Sequence, residues 1–153
     1  MLKPCIIGLG YVGLPILLNL SKKIKTIGFD INKKRILDLK NSRDTFNEFK
    51  KRDFAKKKIF FTNDVFKAKS ANFFIVAVPT PISKSKYPDL SHLKKVSENI
   101  SKILKKGDII FFESTVYPGV TNNLCKTILE KKSKLIEGKD FFIGYSPERV
   151  NPG

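Results

Sequence analysis

Gly8, Gly10 and Gly13 stand where a short apolar run, residues 4–9, gives way to a stretch with helical spacing, residues 11–20. A Gly-x-Gly-x-x-Gly turn between a strand and a helix constrains the chain more than any other feature in it. Gly8 permits a tight turn, Gly10 has no Cβ to hold a ligand away from the backbone, and Gly13 lets the helix lie close on the strand. A second apolar run covers residues 26–29 and ends at Asp30, 20 residues after Gly10. Strand, glycine turn, helix, strand and carboxylate in this order form the fingerprint of a βαβ dinucleotide-binding unit. The start of its helix attracts a pyrophosphate. Asp30 is placed to accept hydrogen bonds from an adenosine ribose, and its charge opposes a 2′-phosphate, which favours NAD over NADP. Lys33, Lys34 and Arg35 pull the other way. Two plainer readings stay open: a strand–helix turn without a ligand, and a solvated turn carboxylate or helix cap at Asp30.

The rest of the chain repeats the alternation. Asn32 suits an N-cap for a helix over residues 33–40, with Ile36, Leu37 and Leu39 as its apolar positions. Residues 59–61 form a short third strand, and Asn63 or Asp64 caps a short helix through Lys69. Residues 73–78 are continuously apolar, as in a strand buried on both faces. Leu90, Leu93, Val96, Ile100, Ile103 and Leu104 recur at helical steps, and Gly107 ends that helix. Residues 108–113 form a fifth strand. Pro118-Gly119 opens a helix through Glu130 with Val120, Leu124 and Ile128 on one face, and residues 141–145 are a sixth strand. Residues 42–58 show no clear period and read as a loop with partial helix. Alternating strands and helices predict an α/β fold: a doubly wound, Rossmann-type parallel sheet of about six strands with helices on both faces.

Composition excludes several classes. The 153 residues fit one domain, and 41% of them are hydrophobic, enough for a core. The net charge of +16 has two readings, a polyanion-binding surface or a solvated lysine-rich one. The lysines are scattered in doublets and triplets with no nucleic-acid-binding motif between them, so the solvated surface is preferred and no nucleic-acid partner is expected. Two cysteines, Cys5 and Cys125, and one histidine, His92, offer neither a disulfide framework nor metal-ligand spacing, so no metal is expected and the compartment reads as the reducing cytoplasm. The first apolar stretch is broken by three glycines and Pro15, unlike a leader peptide, and later runs are far too short to span a membrane.

Three further strings sit after predicted strands, where this fold places its ligand crevice. They are Val78-Pro79-Thr80-Pro81, Glu113-Ser114-Thr115-Val116-Tyr117-Pro118-Gly119 and Ser146-Pro147-Glu148-Arg149-Val150-Asn151-Pro152-Gly153. Each taken alone could be a rigid loop, an N-cap cluster or a surface turn. Together with Gly8 to Pro15 and Pro88-Asp89-Leu90, and in this order, they resemble the UDP-glucose and UDP-N-acetylhexosamine 6-dehydrogenases, most of all the N-acetylhexosamine branch that serves bacterial surface polysaccharides.

That resemblance implies oxidation of a UDP-sugar C6 alcohol to a uronic acid with two NAD, through a cysteine thioester that water hydrolyses. It implies that Gly8, Gly10, Tyr11, Val12, Gly13, Asp30 and Arg35 hold the adenosine and pyrophosphate. It places Thr80 and Thr115 near the nicotinamide, Thr115 also helping to position a catalytic water. Glu148 takes the role of proton transfer or thioester hydrolysis, and Arg149 and Asn151 belong with Glu148 to the substrate loop. One departure stands out. The family's nucleophilic cysteine lies in a Gly-Gly-His-Cys context that is absent, and Cys5 and Cys125 read as small core residues. The expectation is therefore an NAD-binding domain over residues 1–153, about the first third of a family member. The nucleophile, the central helix and the UDP-sugar-binding domain would lie beyond it, in a parent that is a homodimer or higher homo-oligomer. The alternative is a stand-alone or degenerate NAD-binding module without catalysis.

Overall fold

The computed structural model describes residues 1–55, 57–81, 88–113 and 121–146. Six strands, β1 (Pro4–Ile7), β2 (Thr26–Phe29), β3 (Ile59–Thr62), β4 (Phe73–Val76), β5 (Ile109–Glu113) and β6 (Phe142–Ser146), form one sheet in the order β3-β2-β1-β4-β5-β6. Every neighbouring pair is parallel. Four helices, α1 (Gly13–Leu20), α2 (Lys33–Lys40), α3 (Ser91–Ser101) and α4 (Lys126–Ser133), supply crossovers. The strand order runs outward from β1 to β3, then returns to β4 on the other side of β1. That reversal opens a crevice at the carboxyl ends of β1 and β4, where this fold holds its ligands.

The period of two in a strand sorts the core into two layers. Cys5 and Ile7 of β1, with Phe74 and Val76 of β4, face the layer that contains Leu93, Val96 and Ile100 of α3. Ile6 and Ile75 face the opposite layer with Leu14, Leu17 and Leu18 of α1 and Ile36 and Leu39 of α2. Central strands buried on both sides are continuously apolar for this reason. Each fully buried Leu, Ile or Phe contributes about 1.5–3 kcal/mol relative to leaving it exposed.

The elements follow the pattern of the sequence with several corrections. Strand β1 ends at Ile7, not Leu9, because Gly8 turns into the left-handed region at φ 88° while its N–H donates to the Phe29 carbonyl. Strand β4 stops at Val76, although Ala77 still donates to Ile7. Helix α2 is capped by Asn32, which accepts from the Arg35 N–H, but it buries Arg35 with Ile36 and Leu39 and leaves Leu37 exposed. The short helix capped by Asp64 is a single 3-10 turn over Val65–Ala68. Helix α3 ends at Ser101. Gly107 belongs to the turn before β5, where its φ is 85° and its N–H reaches Asp140. The last helix starts with a π turn over Thr121–Cys125, and its buried positions are Cys125 and Leu129, with Ile128 only half-buried. Residues 118–120, expected at its start, lie outside the described residues. Among the described residues, no helix is long and apolar enough to cross a membrane.

Candidate functional site

The crevice at the switch point has a volume of about 480 Å³ and is open to solvent. Its floor is the glycine turn after β1, one wall is the β2–α2 junction from Asp30 to Arg35, and the other is Ala77, Val78 and Pro79 after β4. The three glycines differ in what demands them. A Cβ on Gly8 would sit 2.7 Å from the Ala77 carbonyl oxygen, and its positive φ disfavours any L side chain. A Cβ on Gly13 would overlap the Gly8 carbonyl oxygen, so close packing of α1 on the turn requires its absence. Gly10 has no such internal reason: nothing lies within 4 Å of the place its Cβ would take. A turn built only for strand–helix packing needs Gly8 and Gly13. The bare backbone at Gly10 suits a ligand that comes to it from the crevice.

Asp30 holds this turn in shape. Its Oδ2 accepts from the Leu9 N–H at 2.9 Å, and its Oδ1 accepts from the Asn32 N–H at 2.9 Å. A carboxylate has about four acceptor positions, and these two bonds take up about half of them. The plainer reading of Asp30 as a turn carboxylate is thus realised, and it leaves the ligand reading compatible.

Arg35 enters from the first turn of α2 and is almost wholly buried. Its Nε donates to the Leu9 carbonyl at 2.9 Å, and its Nη1 donates to Asp44 Oδ1 at 2.7 Å and to Thr45 Oγ1 at 3.0 Å. Its Cζ lies 4.4 Å from the centre of the Phe46 ring, and that ring stacks on Tyr11 with centroids 4.4 Å apart. Buried Nη2 has no hydrogen-bond partner among the described residues. Asp44 accepts in turn from the N–H groups of Phe46, Glu48 and Phe49. Burial pushes the Asp44 carboxyl up, but the hydrogen bonds from Arg35, Phe46 and Phe49 and the charge of Arg35 outweigh it and hold the group below its ordinary value.

Of the residues singled out in the sequence, the fold brings Gly8, Gly10, Tyr11, Val12, Gly13, Asp30 and Arg35 together around one turn. Thr80 follows the β4 wall and is half-buried at the same sheet edge. Thr115, Glu148, Arg149 and Asn151 lie outside the described residues. The strands that lead to them, β5 and β6, end side by side at this edge with Glu113 opposite Ser146. The Pro88-Asp89-Leu90 string starts α3, where Asp89 Oδ1 accepts from the Ser91 N–H at 2.9 Å.

Sequence reasoning missed Asp44, Thr45 and Phe46, which lie in the stretch without a period, and His92 and Lys95, which α3 turns toward the crevice. For the helix pair a signal existed, since they share a face with buried Val96. For Asp44 there was none. The cysteines are buried and free, Cys5 in β1 and Cys125 at the end of the π turn that leads into α4. Burial pushes both thiols up. A buried thiol with a raised value carries little thiolate.

Comparison with known proteins yields matches along the whole chain. Residues 2–153 match the UDP-glucose/GDP-mannose dehydrogenase family, NAD binding domain. Protein CapL of Staphylococcus aureus is 50% identical over 148 residues, which is 97% of this chain and 35% of that protein. A UDP-N-acetyl-D-glucosamine 6-dehydrogenase of Salmonella typhi is 48% identical over 152 residues, 99% of this chain and 36% of that one. Among solved structures, the UDP-D-ManNAc dehydrogenase of Pyrococcus horikoshii superposes with a TM-score of 0.90 at 31% identity, over 99% of this chain and 37% of that chain. The chain therefore spans little more than a third of the length of these curated relatives.

Proposed function

The chain belongs to the UDP-glucose/GDP-mannose dehydrogenase family as its NAD-binding domain, and on that premise we propose that its parent protein oxidises the C6 alcohol of a UDP-N-acetylhexosamine to the uronic acid with two NAD, for surface polysaccharide precursors. Relatives near 50% identity supply the substrate class: one is a UDP-N-acetyl-D-glucosamine 6-dehydrogenase. The observation that carries the cofactor role is Gly10, a glycine with no packing reason at the floor of an open crevice.

In this reading Gly8, Gly10, Tyr11, Val12, Gly13, Asp30 and Arg35 hold the adenosine and pyrophosphate, while Thr80 and Thr115 adjoin the nicotinamide. Bound NAD supplies an acceptor for the hydride lost by the sugar carbon. The chain's own part is to orient it: the glycine turn presents backbone N–H groups to phosphate, and Asp30 keeps its free acceptor positions for ribose. Thr115 and Glu148 serve water activation and proton transfer, and Glu148, Arg149 and Asn151 contact the sugar nucleotide. Since Cys5 and Cys125 are both core residues, the thiolate comes from a part of the parent outside these 153 residues, and the chain alone binds NAD without turnover.

The test is NADH formation by the protein as its gene encodes it, with UDP-N-acetylglucosamine, UDP-N-acetylmannosamine and UDP-glucose as substrates. We expect turnover of an N-acetylhexosamine nucleotide in preference to UDP-glucose. NAD binding without turnover of any UDP-sugar would instead identify a binding module without catalysis.

A further inference from the structure

We propose that Asp44 is a specificity-determining residue: by cancelling the charge of Arg35 next to Asp30, it keeps the crevice selective for NAD over NADP. The inference rests on the reading of the Asp30 end of the crevice as the adenosine ribose site. In this fold an arginine close after the acidic residue of the second strand is the group that accommodates a 2′-phosphate. Arg35 stands five residues after Asp30 and lines the same crevice. By sequence alone it opposes Asp30 and favours NADP.

The tertiary structure changes that balance. Arg35 Nη1 is 2.7 Å from Asp44 Oδ1, and the two side chains are 6% and 1% exposed, so the pair is screened less than one on the surface. Three backbone N–H groups, of Phe46, Glu48 and Phe49, also point at the Asp44 carboxylate and keep it ionised. Four contacts fix the guanidinium: Nε on Leu9, Nη1 on Asp44 and Thr45, and the face over Phe46. Arg35 is thereby half of a neutral ion pair that braces the glycine turn. Asp30 remains as the carboxylate that a 2′-phosphate would meet, with Lys34 as the cation left near it on the crevice lining. Asp44 does not contact the ligand in this proposal; it acts through Arg35 and is a positioning residue.

The experiment measures NAD and NADP dissociation constants by calorimetry for the gene's full product and for the D44N, R35Q and D44N/R35Q variants. D44N bares the cation, and the ratio of NADP to NAD affinity rises about tenfold, the size of one uncompensated charge at partly screened distance. R35Q bares the carboxylate, and the ratio falls. The double variant loses both charges and returns to within about twofold of the native ratio. It leaves no orphaned buried charge, so it folds even where D44N does not. In that case R35Q, whose Asp44 keeps three backbone donors, carries the single-variant comparison. A purely structural role predicts that both cofactors weaken together, so an unchanged ratio in folded D44N and R35Q overturns the inference. Failure of the native protein to bind NAD at all is a different result, and it removes the site reading together with this inference.

Discussion

Three glycines with one spacing have three different jobs, and the difference is measurable residue by residue. At Gly13 the offending atom is a backbone carbonyl oxygen, which cannot swing aside as a side chain can. Gly13→Ala is expected to cost about 3 kcal/mol or more, the upper end for an overpacked site, seen as a lowered urea midpoint. At Gly10 a methyl group would meet no neighbour within 4 Å, and the backbone there has no positive φ. Gly10→Ala should therefore change stability by less than about 1 kcal/mol in either direction, while NAD affinity falls at least about tenfold. A Gly10→Ala protein with native NAD affinity would show that the glycine does not serve ligand approach. Asp30 was legible in the sequence because its position relative to the glycines follows from the length of a βαβ unit. Asp44 was not, since its significance comes from a contact with Arg35, nine residues earlier, that forms only when the chain after α2 folds back on that helix.

At the level of elements, the span of α2 was readable, residues 33–40 with Asn32 as its cap, but the face it buries was not. Burial in α2 falls on Arg35, Ile36 and Leu39, one face of a 3.6-residue period. A pattern that ranks arginine as a surface residue turns that face toward Leu37. The arginine can be inside only because the segment after α2 brings it a carboxylate, a hydroxyl and a ring. The same segment looks unstructured in sequence because it is organised by Asp44, which collects three backbone N–H groups, and not by a repeating apolar face. Its stability should then depend on pH in one direction. The folded value of Asp44 is depressed, so the folded state binds a proton less readily than the unfolded chain. The contribution of Asp44 is complete above the ordinary carboxylate value of about 3.9 and is lost as pH falls through the depressed one. Denaturation midpoints of the native protein should drop below about pH 4, and those of D44N should lack that part of the drop. Parallel curves would mean that Asp44 does not hold the segment through its charge.

For the whole molecule, a sheet with an apolar layer on each face leaves the lysines outside, where a net charge of +16 acts on itself. At the edge opposite the crevice Lys3, Lys23, Lys25, Lys58 and Lys67 surround one hollow, with no acidic residue among the described residues that line it. If these charges only repel, added salt screens them. The thermal midpoint should rise as NaCl goes from about 0.02 to about 0.3 M, and gel shifts at about 0.15 M should show no complex with duplex DNA. A stable, salt-sensitive complex would restore the polyanion reading of the composition. The sequence by itself determined the α/β alternation, the parallel sheet, the glycine turn and the place of Asp30, because each depends on local spacing: the periods of strand and helix, and the length of one crossover. The tertiary structure alone decided that Gly10 faces open space, that His92 and Lys95 turn toward the crevice, and that Arg35 is buried against Asp44. Those facts depend on which distant segments meet, and burial can turn an arginine from a free cation at the rim into half of a neutral pair.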